Sequence, residues 1–315
     1  MQEKVAHFEQ IRIKNRRIIK NLMRDFEKIG KTELANASGL SFPTVSGVLK
    51  ELVGSGEALM VEAVSNGGRP GEEFALNAEY ETGVCAYIED MTLRILIVDA
   101  LGKEKQNLQI ALHQNFGIEE LEEIITRIRQ SFTRLSVIAL GVPGVILDGT
   151  IKHLPILPRL LNINVKEELE RRLENVVVFV ENDVNTIVTA EREKWKNLAH
   201  IFKTDGCVGT GILIQGNLLR GVHGCAGEME NICDKKKDTL HYLSTAIRAI
   251  VCVIDTENIA LSGFTMQEEE MQELRERLER FLPRERLPQL HVVEDADRLY
   301  RRGLLEMVVE EWKTR

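Results

Sequence analysis

Apolar residues recur along the chain with two different periods, and the changes of period divide it. Ile11, Ile13, Ile18, Ile19, Leu22, Met23, Phe26 and Ile29 follow helical spacing and predict an amphipathic helix that ends near Gly30. A second, short helix is expected from Thr32, a residue type that caps helix starts. Ser38-Gly39-Leu40 reads as the tight turn of a helix-turn-helix, with Gly39 free to take positive φ. Ser41 can cap a third helix that tolerates Pro43 in its first turn. In that helix Val45, Val48, Leu49 and Leu52 face inward, leaving Phe42, Thr44, Ser46, Gly47 and Lys50 outside. Past Gly56 the period falls to two. Residues 58–64 read as a strand, Asn66-Gly67-Gly68 as a turn, and Phe74 and Leu76 lie on the returning strand. A helix-turn-helix followed by such a hairpin is a winged helix, expected over residues 1–80.

Residues 81–315 alternate strands with helices, which predicts an α/β fold. Strands are expected at 84–88 and 93–99 as a hairpin, then at 137–140, 199–202, 212–214 and 258–261. Helices are expected at 118–135, 165–173, 240–255, 266–281 and 296–312. The stretch at 176–185, V-V-V-F-V-E-N-D-V-N, joins a buried apolar strand to three polar residues, Glu181, Asn182 and Asp183. Apolar groups at helical spacing over 184–195 follow it. The polar triplet therefore falls in a strand-to-helix crevice, where open α/β sheets place ligands. A carboxylate beside an amide suits a polyhydroxylated ligand; the alternative is that Asn182 and Asp183 simply cap the next helix.

A chain of 315 residues fits two or three domains, and 43% hydrophobic with 29% charged residues fits a globular protein. No apolar run approaches the roughly 20 residues that span a bilayer, and the first residues lack a signal-peptide core, so a cytoplasmic location without membrane contact is expected. Five scattered cysteines argue against a disulfide framework. The net charge of -8 speaks against nucleic acid, but residues 1–80 hold 11 basic against 11 acidic residues and the deficit lies entirely beyond them. Arg12, Lys14, Arg16, Arg17, Lys20, Arg24, Lys28 and Lys31 cluster at the start and are compatible with phosphate contacts; a solvated helix face is the other reading. Ser41, Thr44, Ser46 and Lys50 on the third helix are the candidates for the major groove, and Arg69 at the wing tip for the minor groove.

The winged helix ending in G-G-R-P-G-E-E-F-A-L-N, then A-L-G-V-P-G-V-I, then V-E-N-D-V-N, then G-C-A-G-E-M-E-N together resemble the ROK family of sugar-responsive repressors and sugar kinases. The resemblance spans nearly the whole chain, with the motifs in the family's order. It implies two ribonuclease-H-like lobes with a cleft between them, and the N-terminal winged helix is similar to that of the repressor branch. Family kinases carry a first phosphate loop of the form D-x-G-G-T; here A-Y-I-E-D-M-T-L-R stands in its place without a glycine. The second loop survives as D-G-C-V-G-T-G-I, whose Gly206, Gly209 and Gly211 are read as turn residues. Phosphoryl transfer needs backbone N–H groups close to the nucleotide, so no catalysis and no nucleotide cofactor are expected.

On the sugar side, the resemblance assigns Asn182, Asp183, Gly144 of the G-V-P-G loop and Glu228 of G-E-M-E-N to ligand binding. Ile156 stands where the family has an asparagine, and Asn231 where it has a histidine. The family's cysteine-rich zinc segment is missing; Cys225, Cys233 and His241 have no common zinc spacing, so no metal is expected. His200 and the other histidines are expected to be structural or superficial, and only His223 lies near the proposed pocket. The expected partners are a double-stranded DNA operator, a sugar or sugar-phosphate effector, and further copies of the chain in a homodimer or homotetramer. The expected role is a repressor of carbohydrate-related genes. Rival readings are an ATP-dependent sugar kinase and a regulator whose second region serves only in assembly.

Overall fold

Three separate apolar cores organise the molecule, one built by the first 76 residues and one in each lobe that follows. The computed structural model describes residues 2–62, 72–204, 208–229, 232 and 238–315. The chain opens with α1 (Gln2–Asp25), β1 (Ile29–Gly30), α2 (Lys31–Ser38), α3 (Phe42–Gly54), β2 (Ala58–Glu62) and β3 (Glu72–Leu76). Ile19, Met23, Leu34, Val45, Leu49, Leu52 and Phe74 fill its core. The strands pair antiparallel in the order β1-β3-β2, giving a winged helix.

Gly39 takes φ 67° between α2 and α3, and the Ser41 hydroxyl caps α3 by accepting the Thr44 N–H at 3.3 Å. Two expectations change. Helix α1 stops at Asp25, because Ile29 and Gly30 are drawn out to pair with Phe74 and Glu73. Consequently Gly30, not Thr32, is the N-cap of α2, and it offers no side-chain bond. Ile11, Ile13 and Phe26 also fail to bury and are 41%, 54% and 39% exposed, since the core begins at Ile19, about two turns after the first two, and Phe26 lies just past the end of α1.

The first lobe holds β4 (Thr82–Glu89), β5 (Thr92–Asp99), β6 (Glu104–Ala111), α4 (Ile118–Ser131), β7 (Leu135–Val142), the small hairpin β8 (Val145–Leu147) and β9 (Thr150–His153), α5 (Val165–Arg172) and β10 (Val177–Asn182). Helix α6 (Asp183–Thr189) leads to the second lobe: β11 (Leu198–Lys203), β12 (Val208–Ile214), β13 (Asn217–Leu218), α7 (Thr239–Ile254), β14 (Asn258–Ser262), α8 (Glu268–Glu279), β15 (Gln289–Val293) and finally α9 (Ala296–Thr314).

The sheets run β10-β7-β4-β5-β6 and β13-β12-β11-β14-β15. In each, the lobe's first three strands form an antiparallel meander, and its last two are added in parallel on the other side of the first. One topology is thus used twice, as a two-lobed ribonuclease-H-like fold.

Helix α9 returns from the second lobe to cover the first. Tyr300, Leu304, Val308 and Trp312, spaced four residues apart on one face, are buried against the sheet. Where α9 crosses α6, Gly303 lies against the Thr186 carbonyl so closely that any Cβ would collide with it. Its far end meets the winged helix. The Arg24 guanidinium sits 5.5 Å from the Trp312 ring, pairs with Glu81 at 3.5 Å and donates to the Ala100 carbonyl, while Asn21 donates to the Lys313 carbonyl at 3.3 Å.

Candidate DNA-recognition surface and ligand cleft

Helix α3 presents Ser41, Phe42, Gly47 and Lys50 to solvent, with Thr44 and Ser46 half-buried. The Ser41 hydroxyl also meets Thr44 Oγ1 at 2.8 Å, so these two candidate side chains are tied to each other. A Cβ at Gly47 would touch nothing, which leaves a flat spot between Ser46 and Lys50. Arg69 lies outside the described residues.

The basic cluster reads differently in three dimensions. Arg12 pairs with Glu51 at 3.1 Å, Lys20 with Glu57 at 3.0 Å and Lys28 with Glu73 at 2.6 Å, while Arg16 pairs with Glu57 and Lys31 with Glu72. With Arg24 on Glu81, six of the eight bases are tied to acids. The acids come from α3, from the strands and from the turn before β2, all of which α1 packs across. Only Lys14 and Arg17 are exposed without an ion pair among the described residues. Most of the basic cluster is thus engaged in ion pairs, of which those of Lys20, Arg16 and Arg24 are the buried ones. Glu57 shows the effect. Burial works to raise its pKa, but Lys20, Ser55 and Arg16 outweigh burial and hold the carboxyl below its ordinary value.

The polar triplet stands at the carboxyl ends of parallel β7 and β10. Tyr87, Gly141 and Glu181 form one row across β4, β7 and β10. Asn182 is the N-cap of α6: its Oδ1 accepts the Asn185 N–H at 3.0 Å, while its Nδ2 donates to the Gly144 carbonyl at 2.7 Å. Capping and the G-V-P-G loop thus meet in one side chain. Gly144 has φ 133°, and a Cβ there would strike the His153 carbonyl, so glycine is required.

Asp183, the first residue of α6, is 9% exposed and accepts the Val184 N–H at 2.8 Å. Burial raises its pKa to about 6, and the nearby Glu228 adds to the rise. Three of the expected ligand residues, Asn182, Asp183 and Gly144, are therefore contiguous, and Glu228 lies within electrostatic reach. Glu181 faces the other way: its Oε2 accepts two bonds from Arg220, at 2.8 and 2.6 Å. That pair lines a cavity of about 760 Å³ along the free edge of β10, whose walls include neither Asn182 nor Asp183. Ile156 is 39% exposed and His223 is exposed. His200 is fully buried and bonded to Glu191 at 2.9 Å and Ser262 at 2.8 Å, a structural role as expected.

Three features were missed by sequence reasoning. Tyr300, from α9, stacks on Tyr87 with ring centroids 4.6 Å apart, and its hydroxyl fills the space a Cβ on Gly141 would need. The Tyr87 hydroxyl donates to Asp297 and accepts from Arg301 Nε at 3.2 Å. Burial and then Asp297 push the Tyr87 phenol up to about 12. Thr210, on β12, has a buried hydroxyl beside Gly227. No local motif marks any of these residues.

One assignment is corrected. Gly209 and Gly211 lie within β12 rather than in a turn, and a Cβ on Gly211 would sit 2.5 Å from the Val184 carbonyl and 2.8 Å from Val188. They let β12 press against α6. Gly206 lies outside the described residues. Strands β4 and β5 are joined through Asp90 and Met91, both at positive φ (46° and 55°), because Glu89 already pairs with Thr92.

A winged helix attached to a two-lobed ribonuclease-H-like domain is a mixed α/β architecture. Residues 91–233 match the model of the ROK family. The chain is 25% identical over 234 residues to the xylose repressor of Bacillus subtilis (strain 168), a match covering 69% of this chain and 59% of that protein. The match thus spans less than two thirds of the relative's length. Among solved structures, a ROK family transcriptional regulator described as a homolog of the E. coli MLC protein superposes with TM-score 0.65 at 17% identity, over 96% of this chain and 99% of that one. A ROK hexokinase from Thermus thermophilus superposes with TM-score 0.56 at 19% identity, over 73% and 99%. Among the described residues, no helix is long and apolar enough to cross a membrane.

Proposed function

We propose that this chain is a DNA-binding transcriptional regulator, a repressor of carbohydrate-related genes, with residues 1–80 reading an operator and residues 81–315 sensing a sugar or sugar phosphate. The observation that carries the reading is the direct packing of the winged helix on α9, the helix that also packs on α6, whose first turn carries Asn182 and Asp183. The name of the Bacillus subtilis relative supports a sugar-linked repressor. Ser41, Thr44, Ser46 and Lys50 on α3, with Arg69 on the wing, face the DNA. Asn182, Asp183, Gly144 and Glu228 face the effector. The protein works in the cytoplasm as a homodimer or homotetramer, since two half-sites multiply affinity and specificity.

The rival reading, a sugar kinase, draws on the buried carboxyl of Asp183 and the likeness to a hexokinase fold. The β4–β5 connection opposes it. Its two-residue turn carries side chains rather than glycine backbone, and the carboxylates of Glu89, Asp90 and Asp297 around it would repel a nucleotide's phosphates. No metal or cofactor belongs to the reading.

Retention of DNA from around the chain's own gene decides between them, measured with and without D-xylose and D-glucose. Lys50→Ala is expected to weaken retention severalfold and to lower its salt dependence, as loss of one phosphate or base contact should. Retention unchanged by Lys50→Ala would overturn the assigned face. Turnover of ATP with either sugar, abolished by Asp183→Ala, would overturn the regulator reading.

A further inference from the structure

Tyr300 is 3% exposed, and its hydroxyl has no hydrogen-bond partner among the described residues. A buried hydroxyl is normally bonded, so an orphan in a ligand cleft calls for an explanation. Thr210 Oγ1 is in the same condition, on a side chain 2% exposed. Both border the proposed ligand residues. The Tyr300 hydroxyl lies over Gly141, one row back from Asn182, and feels the charge of Asp183. Thr210 presses its carbonyl against Gly227, next to Glu228. The Tyr300 hydroxyl, able to donate and accept, thus stands as a neutral group beside a site whose charged members are both carboxyls.

We propose that Tyr300 is a ligand-contacting and specificity-determining residue, whose phenol bonds a hydroxyl of a polyhydroxylated effector. The inference rests on the preceding reading of the cleft as a sugar site. It also gives the effector a direct purchase on α9. A ligand held by Tyr300 bears on the same helix whose Trp312 and Lys313 hold Arg24 and Asn21 of α1. Contacts to the first lobe alone would leave α9 untouched.

The test compares wild-type protein with Tyr300→Phe. Phenylalanine keeps the ring and its stacking on Tyr87 and removes only the orphan hydroxyl. In the absence of sugar the variant is expected to melt at or above the wild-type temperature; a clear drop would mean that the hydroxyl has an internal partner, and would overturn the proposal. With D-xylose, D-glucose and N-acetyl-D-mannosamine at millimolar concentration, the sugar that shifts wild-type melting is expected to bind the variant roughly fivefold to tenfold more weakly. Its release of operator DNA is expected to need correspondingly more sugar, while sugar-free operator affinity stays the same. Equal sugar affinity in the two proteins would overturn this inference alone. A wild-type protein that responds to none of the sugars would overturn the sugar-sensor reading, and this proposal with it.

Discussion

Replacing Asp183 by asparagine tests whether the cleft holds a carboxyl at a cost to the fold. The folded value of about 6 lies above the ordinary 3.8, so the folded chain binds this proton more tightly than the unfolded one. The linked stability is therefore greatest in acid, falls as pH rises from about 4 to about 6, and stays reduced above that. A displacement of about two pH units corresponds to roughly 3 kcal/mol. Asparagine retains an oxygen to accept the Val184 N–H, cannot ionise, and removes the repulsion from Glu228. Other shifted carboxyls, such as those of Glu89 and Glu306, are common to both proteins and cancel in the difference.

Asp183→Asn is thus expected to equal wild type in stability near pH 4 and to exceed it by up to about 3 kcal/mol near pH 7. For a domain of this size that is roughly 6–12 °C in melting temperature. Thermal melts at both pH values, followed by circular dichroism, are the assay. A variant less stable than wild type near neutrality, or a gap that does not change with pH, would refute the reasoning. The expected sign is the signature of a residue kept for a site rather than for the fold, because selection for stability alone would have removed it.

Glu57→Gln should behave in the opposite sense. The native carboxyl is held below its ordinary value, so its contribution is complete at neutral pH and lost as pH falls through the folded value. The variant should lose about 3 kcal/mol in the winged helix near pH 7, and the gap should narrow below about pH 4; a gap that widens in acid would count against the Glu57 ion pairs. Gly303→Ala forces a methyl group onto the Thr186 carbonyl and should cost roughly 1–3 kcal/mol, read as a lower urea midpoint; an unchanged midpoint would mean that α9 and α6 can separate freely.

Sequence legibility followed burial. The inner strands β4 and β7, the apolar edge strand β10 and helix α3 carry apolar residues wherever they face a core, so their periods were readable. Strands β6, E-K-Q-N-L-Q-I-A, and β15, Q-L-H-V-V, were missed because each lies at the edge of its sheet, exposes most of its polar residues and lacks a continuous apolar run. Helix α6 is shorter than its apolar spacing suggested, because residues 183–188 are buried on every side between the lobes and α9 and periodicity there carries no face. The candidate ligand residues were legible because Asn182 and Asp183 sit in one short motif. Tyr300 was not, since its place over Gly141 depends on the path of the last helix. The ion pairs of the basic cluster were not legible, because a sequence does not say which acids the first helix will pack across.

The coupling proposed between cleft and winged helix places a definite demand on α9. A ligand shifts an equilibrium only by the difference in its affinity for the two states, so it must touch something that differs between them. Asn182 and Gly144 are bonded to each other within the first lobe and gain nothing from a movement of α9. Tyr300 is different, because its ring is carried by the helix and its hydroxyl makes no bond among the described residues. The helix is also seated on the first lobe: besides Gly303 pressed on Thr186, a Cβ on Gly83 would lie 2.5 Å from Val308 and Trp312 donates to Ser136 at 2.9 Å, contacts that any movement of α9 must exchange. A displacement at Tyr300 reaches Trp312 as a rigid-body movement of α9. There it meets Arg24, whose three contacts, with the Trp312 ring, Glu81 and the Ala100 carbonyl, cannot all follow, since the last two belong to the first lobe and stay behind. The seam must then exchange one set of contacts for another, which makes it a switch with two positions rather than a graded spring.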